Sequence, residues 1–163
     1  LEANGREIIK GNNMEPIIFL IIWSCFCLII LFGFFFDGKK ALLIFHKSTD
    51  NIILYKNNNL TGYSRGVGIW ATSIIDIIVT DSELWITGSI LTAGILNKFD
   101  LIHKISINNV QSIKIKNKRV QINFVSVFNK QKSIVLIIND NLTEFLKCFP
   151  EQIIVTPNSS SFE

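Results

Sequence analysis

The sequence predicts a mainly β domain that ends in one α-helix and follows a single transmembrane helix. Three observations carry this. Twenty consecutive residues, 17–36, contain neither a charge nor a proline. Past residue 40 the apolar residues fall into short runs, several of them alternating with polar ones at the period of a strand. Last, "NLTEFLKCFP" places Leu142, Phe145, Leu146 and Phe149 at i, i+3, i+4 and i+7, a single apolar stripe at helical spacing.

The first run has the length of a membrane span. At about 1.5 Å per residue it covers about 30 Å, the hydrocarbon thickness of a bilayer. Ile, Leu and Phe dominate it, each favouring insertion by about 0.3–0.6 kcal/mol at mid-membrane, so the total is several kcal/mol. Phe34, Phe35 and Phe36 approach one interface, and Asp37, Lys39 and Lys40 stop the span. A signal peptide has an apolar region of about 7–15 residues and a small-x-small cleavage site. Here the run is longer and ends Phe-Phe-Phe-Asp. A core helix would carry a polar face, and this one has none.

Residues 1–16 are expected to be a short tail, of which 1–13 are set aside because Met14 stands directly before the span. Arg6 and Lys10 precede the span, and drop out if Met14 is the start. Lys39, Lys40, Lys47 and Lys56 follow it. The positive-inside rule therefore places the C-terminal domain in the cytoplasm.

Residues 37–50 are expected to be a linker with a first strand region, "ALLIF" (41–45), and residues 51–150 the domain. "NIILY" (51–55) is a strand. "KNNNLTGYSRGVGIW" is expected to be loop and turns, from its three asparagines and from Gly62, Gly66 and Gly68. "SIIDIIVT" (73–80) and "ELWIT" (83–87) flank Asp81-Ser82 as a hairpin. "SILTAGIL" (89–96) is expected to turn near Ala93-Gly94. It is either a buried hairpin or an apolar surface for a partner or the bilayer. "VQSIKIKNKRVQINFVSVF" is the clearest hairpin, with its turn at Asn117-Lys118, and a turn at Asn129-Lys130 leads to "SIVLII" (133–138). In the closing helix, Asn141 and Glu144 stand at capping-box spacing and Pro150 ends the run. Residues 151–163 are expected to be a tail.

Within this order, "IIVTDSELWITGS" (77–89), "KISINNVQSIKI" (104–115) and "NLTEFLKCF" resemble the pleckstrin-homology-like superfold, above all the bacterial PH and GRAM-like families with an N-terminal transmembrane anchor. Ser106 stands where those families often have proline. The resemblance covers about residues 50–150. It implies a bent antiparallel sheet or barrel of seven strands capped by the C-terminal helix. It implies no activity, because the fold hosts lipid, peptide and protein binding alike.

The 163 residues carry a net charge of +3, and residues 41–150 hold twelve Lys/Arg against seven Asp/Glu. That excess suits an anionic membrane surface and is too small to argue for nucleic acid. Three cysteines without a Cys-x-x-Cys or Cys/His cluster argue against structural zinc and suit a reducing compartment. His46 and His103 are the only histidines, and the acids show no paired spacing. No enzyme, metal site or cofactor is expected.

Three features carry binding. Lys114, Lys116, Lys118 and Arg119 form a basic hairpin tip able to meet anionic lipid headgroups; its ordinary alternative is a solvated strand edge. Residues 89–96 are the apolar surface named above. Tyr63, Arg65 and Trp70 form a ligand rim around the glycine-rich stretch. The expectation is a non-catalytic, single-pass membrane-anchored interaction module at the cytoplasmic membrane face. The alternatives are an anionic-lipid-sensing domain and an accessory subunit of a larger membrane complex.

Overall fold

The computed structural model describes residues 14–45 and 52–155. It divides into two compact units, Leu1–Gly33 and Phe34–Glu163. Helix α1 runs Met14–Leu42. Among the described residues it is the one helix long and apolar enough to cross a membrane. In the first unit its side chains stand exposed on all sides, and Trp23 stacks on Phe19 and tilts against Phe26 one turn away. Among its described residues no polar face interrupts that surface.

In the second unit α1 continues to Leu42 and closes with a 3-10 turn, Leu43–Phe45. The strand expected at 41–45 is therefore helical. Gly38 and Ala41 are buried, and Leu42 and Phe45 pack against the core. These four fall at i, i+3, i+4 and i+7, so the apolar run continues a helical stripe that opens at Gly38. Phe45 lies against Trp85, with ring centroids 5.7 Å apart. His46 and the start of the expected strand at 51–55 lie outside the described residues.

The sheet consists of β1 (Ile53–Ser64), β2 (Trp70–Thr80), β3 (Glu83–Thr87), β4 (His103–Ser106), β5 (Val110–Lys116), β6 (Arg119–Val125), β7 (Gln131–Ile137) and β8 (Ile154–Val155). Its order is β4-β3-β2-β1-β7-β6-β5-β8. All pairings are antiparallel except β5 with β8, so the sheet is open and mixed. The eighth strand, against the seven implied by the resemblance, comes from the segment expected to be a tail.

The loop expected at 56–70 is mostly strand. β1 carries the asparagine triplet straight through by bulging. Asn59 takes φ 59° and donates its N–H to Asp76 Oδ1 at 3.0 Å. Opposite it, Ser73 takes φ 55° and donates to Thr61 Oγ1 at 3.1 Å. Each side-chain acceptor replaces a ladder bond that the bulge removes. The true turn is short, and Gly68 at φ 71° supplies its left-handed residue. Asn117 (φ 57°) and Asn129 (φ 55°) do the same in the two expected turns.

The hairpin expected at 89–96 is instead helix α2 (Ile90–Lys98). Ser89 is its N-cap, its Oγ accepting from the Thr92 N–H at 3.3 Å. Ala93 and Leu96 are buried. Gly94 sits against the end of α1. A Cβ on Gly94 would lie 2.5 Å from the Phe34 carbonyl oxygen, and one on Gly38 would overlap the Ile90 carbonyl oxygen. The two helices therefore touch backbone to backbone.

Helix α3 (Leu142–Lys147) is short. The expected capping box is absent. Asn141 takes φ 58°, not the extended backbone of an ordinary N-cap, and no side-chain cap bond forms. The apolar stripe holds: Phe145 and Phe149 are buried, and Phe145 meets Tyr55 edge-on at 5.4 Å. They join a core built from Ile75, Ile77, Leu84, Ile86, Ile113, Ile122 and Leu136 on the inner face of the sheet.

Candidate functional site

The strands alternate. Val120, Ile122 and Phe124 of β6 point into the core, and so do Ile134 and Leu136 of β7. The outer face is left to Arg119, Gln121 and Asn123 of β6 and to Ser133 of β7. Cross-strand pairing arranges this face in three rows. The first joins Ser112, Asn123 and Ser133. The second joins Lys114, Gln121, Val135, Tyr63 and Trp70. The third joins Lys116, Arg119, Ile137 and Thr61.

This face brings together residues that stand far apart in sequence. Tyr63 and Trp70 are cross-strand partners with ring centroids 4.4 Å apart. The Arg119 guanidinium lies 5.9 Å from the Trp70 ring centroid, within cation–π range. The expected ligand rim and the expected basic tip thus meet on one surface. Arg65 and Lys114 line the same concavity of about 530 Å³. Lys118 lies at the far end, where Lys116, Asn117, Lys118 and Arg119 border a second concavity of about 500 Å³. Aromatic rings flanked by cations on a sheet face suit an anionic partner with flat or apolar groups.

Sequence reading missed two contributors. One is the polar ladder beneath the cations. Gln121 is buried and donates to Asn123 Oδ1 at 2.8 Å and to Ser133 Oγ at 3.0 Å, and Asn123 donates to Ser112 Oγ at 2.9 Å. These bonds fix the floor of the first concavity. The other is Lys132, which borders the same concavity and whose Nζ meets Asp100 Oδ1 at 2.6 Å. Alternation in "VQINFV" signals the ladder; nothing local signals Lys132, because its partner lies 32 residues away.

His103 donates from Nε2 to the Asp100 carbonyl oxygen at 2.9 Å, and its ring meets Phe124 at 5.1 Å. Burial pushes its pKa below the ordinary value, against the opposing pull of Asp100. Among the described residues no group of three His, Cys, Asp or Glu is placed to hold a metal ion. No protein-family model matches the chain, and no curated protein sequence matches it.

Proposed function

We propose that the chain is a single-pass membrane protein that presents a non-catalytic, PH-like interaction module at the cytoplasmic face. One observation carries the reading. Helix α1 exposes an apolar surface on every side over the length of a bilayer, and only its last turns, from Gly38, bury residues in the domain. Water penalises such a surface by roughly 25 cal/mol per Å², and a bilayer removes that penalty. The PH-like part is supported by the strand order β4-β3-β2-β1-β7-β6-β5, with the aromatic stripe of α3 on the core. The ligand surface of the module is the basic and aromatic outer face of β5–β6–β7–β1, and its partner is an acidic segment of another protein.

The lipid-sensing alternative takes second place on geometry. The basic tip begins β6, whereas the turn at the other end of β6 lies beside Ile44, which follows α1 closely in the chain. Seven strand residues separate those ends by roughly 20 Å. A photo-crosslinking residue at Lys114 or Arg119, in the full chain in native membranes, tests the choice. A discrete protein adduct that Trp70→Ala weakens is expected. Adducts to lipid alone select the alternative, and absence of any adduct refutes the interaction face. Release of the unmodified chain from membranes by alkaline carbonate refutes the anchor.

A further inference from the structure

Several apolar side chains of the second unit stand exposed, Val127 and Phe128 most of all, and one pair of them lies beside the end of α1. Ile90 and Leu91, at the start of α2, are 46% and 61% exposed. Eight of the nine residues of α2 are uncharged, and the ninth is Lys98. A helix start that shows isoleucine and leucine to water is unfavourable unless something covers them.

The position of α2 identifies the cover. Its Gly94 lies against the backbone of Phe34, and Phe34, Phe35 and Phe36 are the last residues of the apolar run. The Lys98 ammonium stands 4.7 Å from the Phe34 ring centroid and 3.8 Å from the Asp37 carboxylate, the first charge after that run. Helix α2 therefore sits at the level where the run gives way to charge. Ser89 Oγ and Thr92 Oγ1 lie 3.0 Å apart, Thr92 Oγ1 donates to the Ser89 carbonyl at 3.2 Å, and the Ala93 N–H donates to the same carbonyl at 2.8 Å. Thr92 and Ala93 thus find acceptors at Ser89, and the one cation of α2 lies at its C-terminal end beside Asp37, as expected of a side chain that snorkels.

We propose that α2 is a second membrane contact, an interfacial helix that seats Ile90 and Leu91 at the headgroup–acyl boundary beside the end of α1. The proposal rests on the membrane-anchored reading above. A helix lying in the interface next to a span adds a contact that a bare tether lacks, and so restricts how the domain can turn about α1. The occupant is lipid, because Phe34, on which α2 packs, belongs to the run that enters the bilayer.

The test uses the full chain in phosphatidylcholine vesicles whose acyl chains carry nitroxides. In a background of Cys25→Ala, Cys27→Ala and Cys148→Ala, an environment-sensitive fluorophore is placed on Leu91→Cys, with Ile90→Cys as an independent second position. Cys25 retained alone reports the span, and Asn117→Cys reports the far hairpin turn. The expected result is blue-shifted emission quenched by nitroxide lipid at 91 and 90, strong quenching at 25, and neither effect at 117. Emission and quenching at 91 and 90 equal to those at 117 overturn the proposal while leaving the span intact. Blue-shifted emission without nitroxide quenching also overturns it, by showing that protein, such as a second copy, covers α2. Absence of quenching at 25 removes the anchored reading, and the proposal with it.

Discussion

Replacing Gly94 by alanine sets two effects of opposite sign against each other. In a helix interior, Gly→Ala is ordinarily stabilising by about 0.5–1 kcal/mol, through backbone entropy. Here the new Cβ would lie 2.5 Å from the Phe34 carbonyl oxygen, 3.2 Å from the Gly38 nitrogen and 3.3 Å from the Asp37 Cβ. All three are in the neighbouring helix, and two are backbone atoms that no rotamer change removes. The helices must move apart by about 1 Å, and overpacking of this kind costs about 1–3 kcal/mol. The net expectation for Gly94→Ala is a loss of about 1–2 kcal/mol. Gly38→Ala should lose more, because its Cβ would overlap the Ile90 carbonyl oxygen outright. Gly33, with nothing within 4 Å of its Cβ position, is the control and should show no loss. Denaturant unfolding of the full chain in micelles, followed by tryptophan fluorescence, measures the midpoints. An unchanged or raised midpoint for Gly94→Ala would refute the close crossing of α1 and α2.

Other perturbations follow from the same geometry. Phe145→Ala, which empties the space between Tyr55 and Phe149, should cost about 3–5 kcal/mol in the same unfolding assay, as for other buried aromatics. Because burial holds the His103 pKa below its unfolded value of about 6.5, its contribution to stability is full above that pH. It is lost as pH falls toward the folded pKa, and His103→Gln should flatten the unfolding midpoint over that window. Replacing Lys116 and Lys118 together by glutamine should weaken the adduct formed from a photo-crosslinking residue at 114 or 119 while moving the unfolding midpoint by no more than about 0.5 kcal/mol, since the group lies on the outer face.

Wherever a periodic pattern met a burial requirement, the sequence was legible. The β5–β6 hairpin, its Asn117 turn and the α3 stripe all satisfy local pattern and core together. The misreadings share a cause. "ALLIF" and "SILTAGIL" are short apolar runs whose helical form depends on Gly38 and Gly94 meeting each other across about a third of the chain. The asparagine triplet looks like a loop because its bulge bond to Asp76 comes from the facing strand. For the candidate face, the residue types were legible: cations at 114–119, aromatics at 63 and 70. Their convergence was not, because it arises from pairing β1 with β7, strands more than 60 residues apart.

The two-residue strand β8 bears on how this domain can be cut. It lies parallel to β5, with Ile154 beside Ile113 and Val155 beside Lys114. A fragment ended at Pro150, where the helical pattern stops, would leave β5 as a naked edge. That edge would carry Ile113 and Ile115 in a flat run free to template another copy. Fragments ended before and after Val155 should therefore differ less in folding than in colloidal behaviour, with the shorter one forming strand-paired oligomers on concentration. Ile154 and Val155 thus act as a guard against self-association.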